Sequence, residues 1–117
     1  MKPAKFSFNQ TNLVDLGTKK IYKYPFPTKL LSIAKMNVNG RHPTNKNKYI
    51  LEHNCSFIIY VTKGKGKINA GEKIFNVIVG DCIFVPAENK FAVEGIIEYV
   101  TVDTPAFYLE QSEEINQ

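Results

Sequence analysis

The sequence predicts an all-β chain, a small sandwich or barrel. Three observations carry that prediction. Short runs of β-branched and aromatic residues recur from Lys19 to Asp103, turn residues separate them about every 8–12 positions, and no window carries apolar residues at helical spacing.

Each element has a local reason. Lys19–Pro25 (KKIYKYP) is a short strand stopped by the Pro-Phe-Pro that follows. Thr28–Val38 (TKLLSIAKMNV) is a longer apolar run, and the polar stretch Asn39–Lys48 (NGRHPTNKNK) after it predicts a loop, with Arg41 and His42 solvated or at the barrel mouth. Lys48–His53 and Ser56–Gly64 are the next strands. Lys65–Asp81 predicts a hairpin, with Asn69–Glu72 (NAGE) as its turn and β-branched residues on both arms. Cys82–Pro86 is a short buried strand, and Lys90–Gly95 and Ile96–Asp103 predict a pair turning at Gly95. The tail from Thr104 becomes polar and acidic, docking through Phe107 and Leu109 before it frays over residues 110–117.

With 117 residues, 44% of them hydrophobic, one domain spanning 1–117 is expected, with a barrel core at about 30–107. The net charge of +4 raises the question of nucleic acid, but the lysines are scattered and no recognition motif accompanies them. Lys63, Lys65 and Lys67 share one strand face, which reads as an anion patch or as positive charge protecting a hairpin edge. The N-terminus MKPAKFSFNQ has no apolar core region, and no run approaches the roughly 20 residues of a membrane span, so a cytoplasmic chain without membrane partners is expected. In that compartment Cys55 and Cys82 are expected to be free thiols.

Two glycine-anchored segments follow one another: Phe57-Ile58-Ile59-Tyr60-Val61-Thr62-Lys63-Gly64-Lys65-Gly66, then Gly80-Asp81-Cys82-Ile83-Phe84-Val85-Pro86. Together they resemble the two motifs of the cupin family, G-x5-H-x-H-x3-4-E-x6-G and G-x5-P-x-G-x2-H-x3-N. The resemblance covers about Leu30 to Phe107 and implies a cupin β-barrel of the small RmlC-like type, a jelly roll or double-stranded β-helix. It also implies a homodimer, for which the apolar KLLSIAKM run offers support in the sequence itself. Carried over position by position, the metal-binding histidines fall on Leu51 and His53, the glutamate on Phe57 and the last histidine on Phe91. Three of the four donors are therefore apolar, and the resemblance as it stands here implies no metal in the usual geometry, since a divalent ion needs several N, O or S donors.

What remains is His53-x-Cys55, which strand alternation places on one inward face with Phe57, Ile59 and Val61. Leu51, His53, Cys55, Phe57 and Phe91 are thus the expected pocket residues. His53 and Cys55 could be a non-standard metal pair with an acid such as Glu98 or Asp103, or simply a pocket histidine beside a buried thiol. The expected function is binding of a small molecule, carbohydrate-related in one reading, without a cofactor. Two alternatives stand beside it. One is a sugar isomerase or epimerase using His53 as general base, with Tyr49, Tyr60 or Tyr99 as acid. The other is a non-catalytic interaction module with a filled barrel.

Overall fold

The strongest alternation in the sequence becomes one of the two longest strands. From Phe57 to Val61 every second side chain is buried (Phe57, Ile59, Val61), while Ile58 and Tyr60 face outward. Burying an isoleucine such as Ile59 completely contributes about 2 kcal/mol. In the computed structural model, which describes residues 2–117, the strands are β1 Asn12–Asp15, β2 Lys19–Lys23, β3 Ser32–His42, β4 Lys48–Glu52, β5 Ser56–Ala70, β6 Lys73–Ile78, β7 Cys82–Val85, β8 Lys90–Thr104 and β9 Ser112–Asn116. Single 3-10 turns lie at Phe8–Gln10 and Leu109–Gln111, and the described residues contain no α-helix. No helix among them is long and apolar enough to cross a membrane.

All strand pairs are antiparallel, and β8 is the spine of the sheet. One of its edges bonds β5 from Phe91 to Thr104. The other bonds β3 along Val93–Asp103 and β4 at Lys90 and Phe91. β2 and β1 extend the sheet beyond β3, β6 and β7 extend it beyond β5, and β9 adds to β4. The sheet curls around a core that includes Phe57, Ile59, Ile68, Val85, Phe91 and Tyr99.

The NAGE turn forms as expected, with Ala70 opposite Lys73 and Gly71 at φ +61°. Four other expectations need correction. Gly95 is not a hairpin turn: β8 runs straight through it, opposite Gly66. Its φ is +140°, and a Cβ there would lie 2.8 Å from the Gly66 Cα, so glycine marks a close crossing of two backbones within paired strands. Residues 39–42 are not loop, because β3 continues to His42 opposite Val93. The tail does not fray: Ser112–Asn116 pairs with β4, Phe107 lies half-buried with the Lys23 ammonium 4.9 Å from its ring, and Leu109 points to solvent. Finally, Lys63, Lys65 and Lys67 are exposed, but on a strand paired along both edges, so they guard no free edge.

Glu88 stands where the cupin resemblance puts a glycine. It is the one described non-glycine residue with positive φ, +69°, in the turn between β7 and β8. The backbone keeps the glycine conformation there although the side chain has changed.

Candidate functional site

The inner faces of β2, β3, β4 and β8, closed over by β9 and the chain after β8, enclose a cavity of about 640 Å³. That is ample for one small ligand. Alternation decides what lines it. β8 presents Tyr99, Thr101 and Asp103, every second residue, while Val100 and Val102 between them face the other way. β2 presents Lys19, Ile21 and Lys23; β3 presents Ser32, Ala34, Met36 and, at its end, His42; β4 presents Ile50 and Glu52. Phe57, Phe91 and Phe107 supply aromatic wall, the first two edge-to-face with ring centres 5.4 Å apart.

Four titratable groups at this cavity, Tyr99, Asp103, Lys19 and His42, are strongly perturbed. Tyr99 is fully buried and Asp103 is 7% exposed; the Tyr99 hydroxyl and Asp103 Oδ2 have no hydrogen-bond partner among the described residues. Burial pushes the Tyr99 phenol up. Burial first, then a hydrogen bond with the Glu52 carboxyl and its charge, raises Asp103 to about 9, against the opposing pull of Lys19 and Lys23. The Asp103 carboxyl is therefore a neutral proton carrier at neutral pH. Burial lowers Lys19 to about 8 although Glu52 and Asp103 favour its charge. Burial also lowers His42 to about 4, helped by the positive charges of Lys19 and Arg41, so His42 is a neutral imidazole across the physiological range.

Of the five residues expected to form the pocket, Phe57 and Phe91 stand on the cavity wall, and Leu51, His53 and Cys55 do not. The reason is a one-residue difference in facing. On β4 the cavity side is Ile50 and Glu52, so Leu51 looks away. The chain then leaves the strand at Glu52 and turns a corner through 53–55. Gln111 secures that corner: its carbonyl accepts from the His53 N–H (2.9 Å), and its side-chain oxygen accepts from the N–H groups of Asn54 (3.0 Å) and Cys55 (3.1 Å). Period-two alternation does not survive such a bend. His53 swings outward, with Nε2 2.6 Å from Glu113 and Nδ1 3.0 Å from Glu88, and these hydrogen bonds raise its pKa. Cys55 turns inward beneath the wall, its thiol donating to the Pro105 carbonyl at 3.3 Å. His53 and Cys55 thus do not converge as a metal pair, and a general base at His53 would have no cavity to act in.

Among the candidate acids, Tyr99 is on the wall; Tyr60 is half-exposed on the outer surface, and Tyr49 lies on the far face of β4 beneath Arg41 and Lys90. Glu98 also faces away, 3.1 Å from Lys35. Sequence reasoning missed Lys19 and Glu52, and it gave His42 only as solvated or at the barrel mouth, not as part of the site. His42 was hidden by the polar composition around it, and Lys19 by the equal appearance of Lys20 beside it. The ladder Tyr99-x-Thr101-x-Asp103 carried a readable signal: polar residues at alternate positions of a buried strand.

Glu52, Cys55 and Asp103 bring one ligand atom each to within 4.8 Å of one another, a donor set that allows a cation. It differs from the histidine-rich set of the usual cupin metal. As folded, it also fits a metal poorly: Asp103 is neutral, the Cys55 thiol is raised to about 11 by burial and by Asp103 and Glu52, and the Lys19 charge lies close enough to act on both carboxyls. Cys55 and Cys82 are both free thiols.

No protein-family model and no curated protein matches the sequence. Solved structures do match. A uridine-bound variant of Pac13 from Streptomyces, a nucleoside dehydratase, is 17% identical with a TM-score of 0.87, covering 99% of this chain and 93% of that one. An RmlC-like cupin from Shewanella frigidimarina is 24% identical with a TM-score of 0.70, over 89% of this chain and 93% of that one. Oxalate decarboxylase from Bacillus subtilis is 15% identical with a TM-score of 0.79; 94% of this chain matches 31% of that enzyme. These likenesses show the fold: the chain folds as a β-barrel similar to those of small cupins.

Proposed function

We propose that the cavity binds a small ring compound bearing several hydroxyls, a sugar or the ribose of a nucleoside. The observation that carries this reading is the pair of unpartnered buried groups, Tyr99 Oη and Asp103 Oδ2, set on one strand with Thr101 between them. A buried polar atom left unsatisfied costs about 1–3 kcal/mol, which a ligand hydroxyl recovers. Phe57, Phe91 and Phe107 supply the apolar wall on which a ring lies. The uridine complexes of Pac13 support a ligand of this size and chemistry. The cavity volume speaks against a barrel filled by its own side chains. Calorimetric titration with uridine and with simple pentoses tests the reading. Binding weakened about tenfold by Tyr99→Phe is expected for one lost hydrogen bond; no binding of either class would sink it.

One observation favours chemistry in addition to binding. His42, a neutral imidazole, and Asp103, a neutral carboxyl, line the same cavity. Environments that push titratable groups to opposite protonation states supply an acceptor and a donor at one pH. The enzyme alternative, an isomerase, epimerase or dehydratase acting on a hydroxylated ring, therefore has His42 as base and Asp103 or Tyr99 as acid, in place of His53. The reading requires no metal, and metal analysis of the purified protein is expected to find substoichiometric amounts. A homodimer belongs to the same reading. Phe84 (62% exposed), Ile58 and Tyr60 form an apolar outer face on β5 and β7, and sedimentation equilibrium is expected to give twice the 13.3 kDa chain mass.

A further inference from the structure

We propose that Lys19 captures carbonyl compounds covalently: its amine, on the cavity wall beside the Glu52–Asp103 carboxyl pair, condenses with an aldehyde or ketone to form a Schiff base. The inference rests on the reading of the cavity as a small-molecule site. Lys19 is placed by β2, whose alternation sends Lys19, Ile21 and Lys23 inward, and by its register opposite Val38, a core residue. Only 8% of the residue is exposed, yet it lines the cavity. Nζ lies 5.6 Å from the centre of the Phe91 ring. Among the described residues Nζ has no hydrogen bond and no carboxylate oxygen within 4.0 Å; the ion pairs found involve Lys35, Lys63 and Lys90 instead.

A lysine serving only as counter-ion to the acidic pair would sit in contact with it. A buried amine without such contact gains little from its charge, and a neutral amine is a nucleophile. Its lowered pKa agrees: near pH 7 about a tenth of the amine is neutral, against less than a thousandth for an ordinary lysine. The neighbouring pair holds the proton that the reaction needs.

The step balances within the site. The Nζ lone pair attacks the carbonyl carbon, a C–N bond forms as the C=O π bond opens onto oxygen, and one proton passes from the now cationic nitrogen to that oxygen to give a neutral carbinolamine. The neutral carboxyl of the Glu52–Asp103 pair protonates the hydroxyl, the C–O bond breaks and water leaves. A proton from Nζ returns to the carboxylate, leaving the imine. One carbonyl and one amine give one imine and one water.

The test is reductive trapping on the full chain. The protein is incubated briefly with glycolaldehyde and sodium cyanoborohydride, and each lysine's adduct is quantified by peptide mapping. The expected result is labelling of Lys19 at pH 7 at least about tenfold faster than the exposed Lys20 and Lys65, against a more than roughly hundredfold gain in neutral amine over an ordinary lysine. Its rate should level off near pH 8. Lys19→Arg, which retains the charge, should abolish this fast site with the fold intact by circular dichroism; the wild-type peptide map decides by itself if that variant is unstable. Labelling of Lys19 no faster than of Lys20 and Lys65 overturns the proposal. Uridine and pentose titrations run alongside separate it from the reading beneath: ligand binding without fast Lys19 labelling refutes covalent capture and leaves the binding site standing, whereas fast labelling without such binding supports capture and refutes the hydroxylated-ring reading.

Discussion

Replacing Asp103 by asparagine should make the protein more stable at alkaline pH and worse at binding its ligand. The Asp103 carboxyl is 7% exposed, and its pKa is raised from 3.8 to about 9. Between these values the folded chain holds a proton that the unfolded chain has released. The unfolded state then binds fewer protons, so stability is full below the unfolded pKa and falls as pH rises toward the folded one. Two depressed groups act in the opposite direction outside a middle window: His42 below 6.5 and Lys19 above about 8. From pH 6.5 to 8 the slope due to Asp103 is unopposed. A one-proton difference is worth about 1.4 kcal/mol per pH unit, hence about 2 kcal/mol across the window. His53, with its raised pKa, slopes the same way in both proteins and cancels in the comparison. Guanidinium denaturation of wild type and Asp103→Asn at pH 6.5 and 8 measures the effect. The variant's stability relative to wild type should grow by about 2 kcal/mol between the two pH values. Parallel pH profiles would refute the neutral buried carboxyl.

Other consequences follow from the same packing. Phe57→Ala removes one ring of the edge-to-face pair from a 5%-exposed position and should cost about 3–4 kcal/mol in chemical denaturation. Thiol titration of the native protein should find one fast cysteine, Cys82, and a second only in denaturant, because Cys55 is buried with its thiol raised to about 11. His53→Ala should leave ligand affinity within about twofold of wild type, since the imidazole lies outside the cavity between Glu88 and Glu113.

The fold was legible because its signals are local. Alternation at Phe57–Val61, the NAGE turn and the Gly80-to-Pro86 spacing each specify backbone geometry through neighbouring residues. The sequence also exposed the loss of the usual cupin donors, with Phe57 and Phe91 ring-to-ring on the cavity wall in their place. The polar half of the site was harder to read because it depends on distant events. Gln111, 58 residues after His53, bends the chain at 53–55 and reverses which side of it faces the cavity. His42 enters the site because β8 extends β3 through a stretch whose composition reads as loop. Asp103 and Glu52 come together although β4 pairs with β8 only at Lys90 and Phe91 and Asp103 pairs with Ser32 and Phe57, so their proximity could not be seen in either strand alone.

The central claim is that Tyr99 and Asp103 hold the hydroxyls of a small ring compound in this cavity. A crystal structure of the protein soaked with uridine and pentoses tests it most directly. The account predicts a bound ring against Phe57 or Phe91, with ligand oxygens about 2.6–3.2 Å from Tyr99 Oη and Asp103 Oδ2. A cavity closed by its own side chains, or a ligand bound elsewhere with these two groups unpartnered, would contradict it.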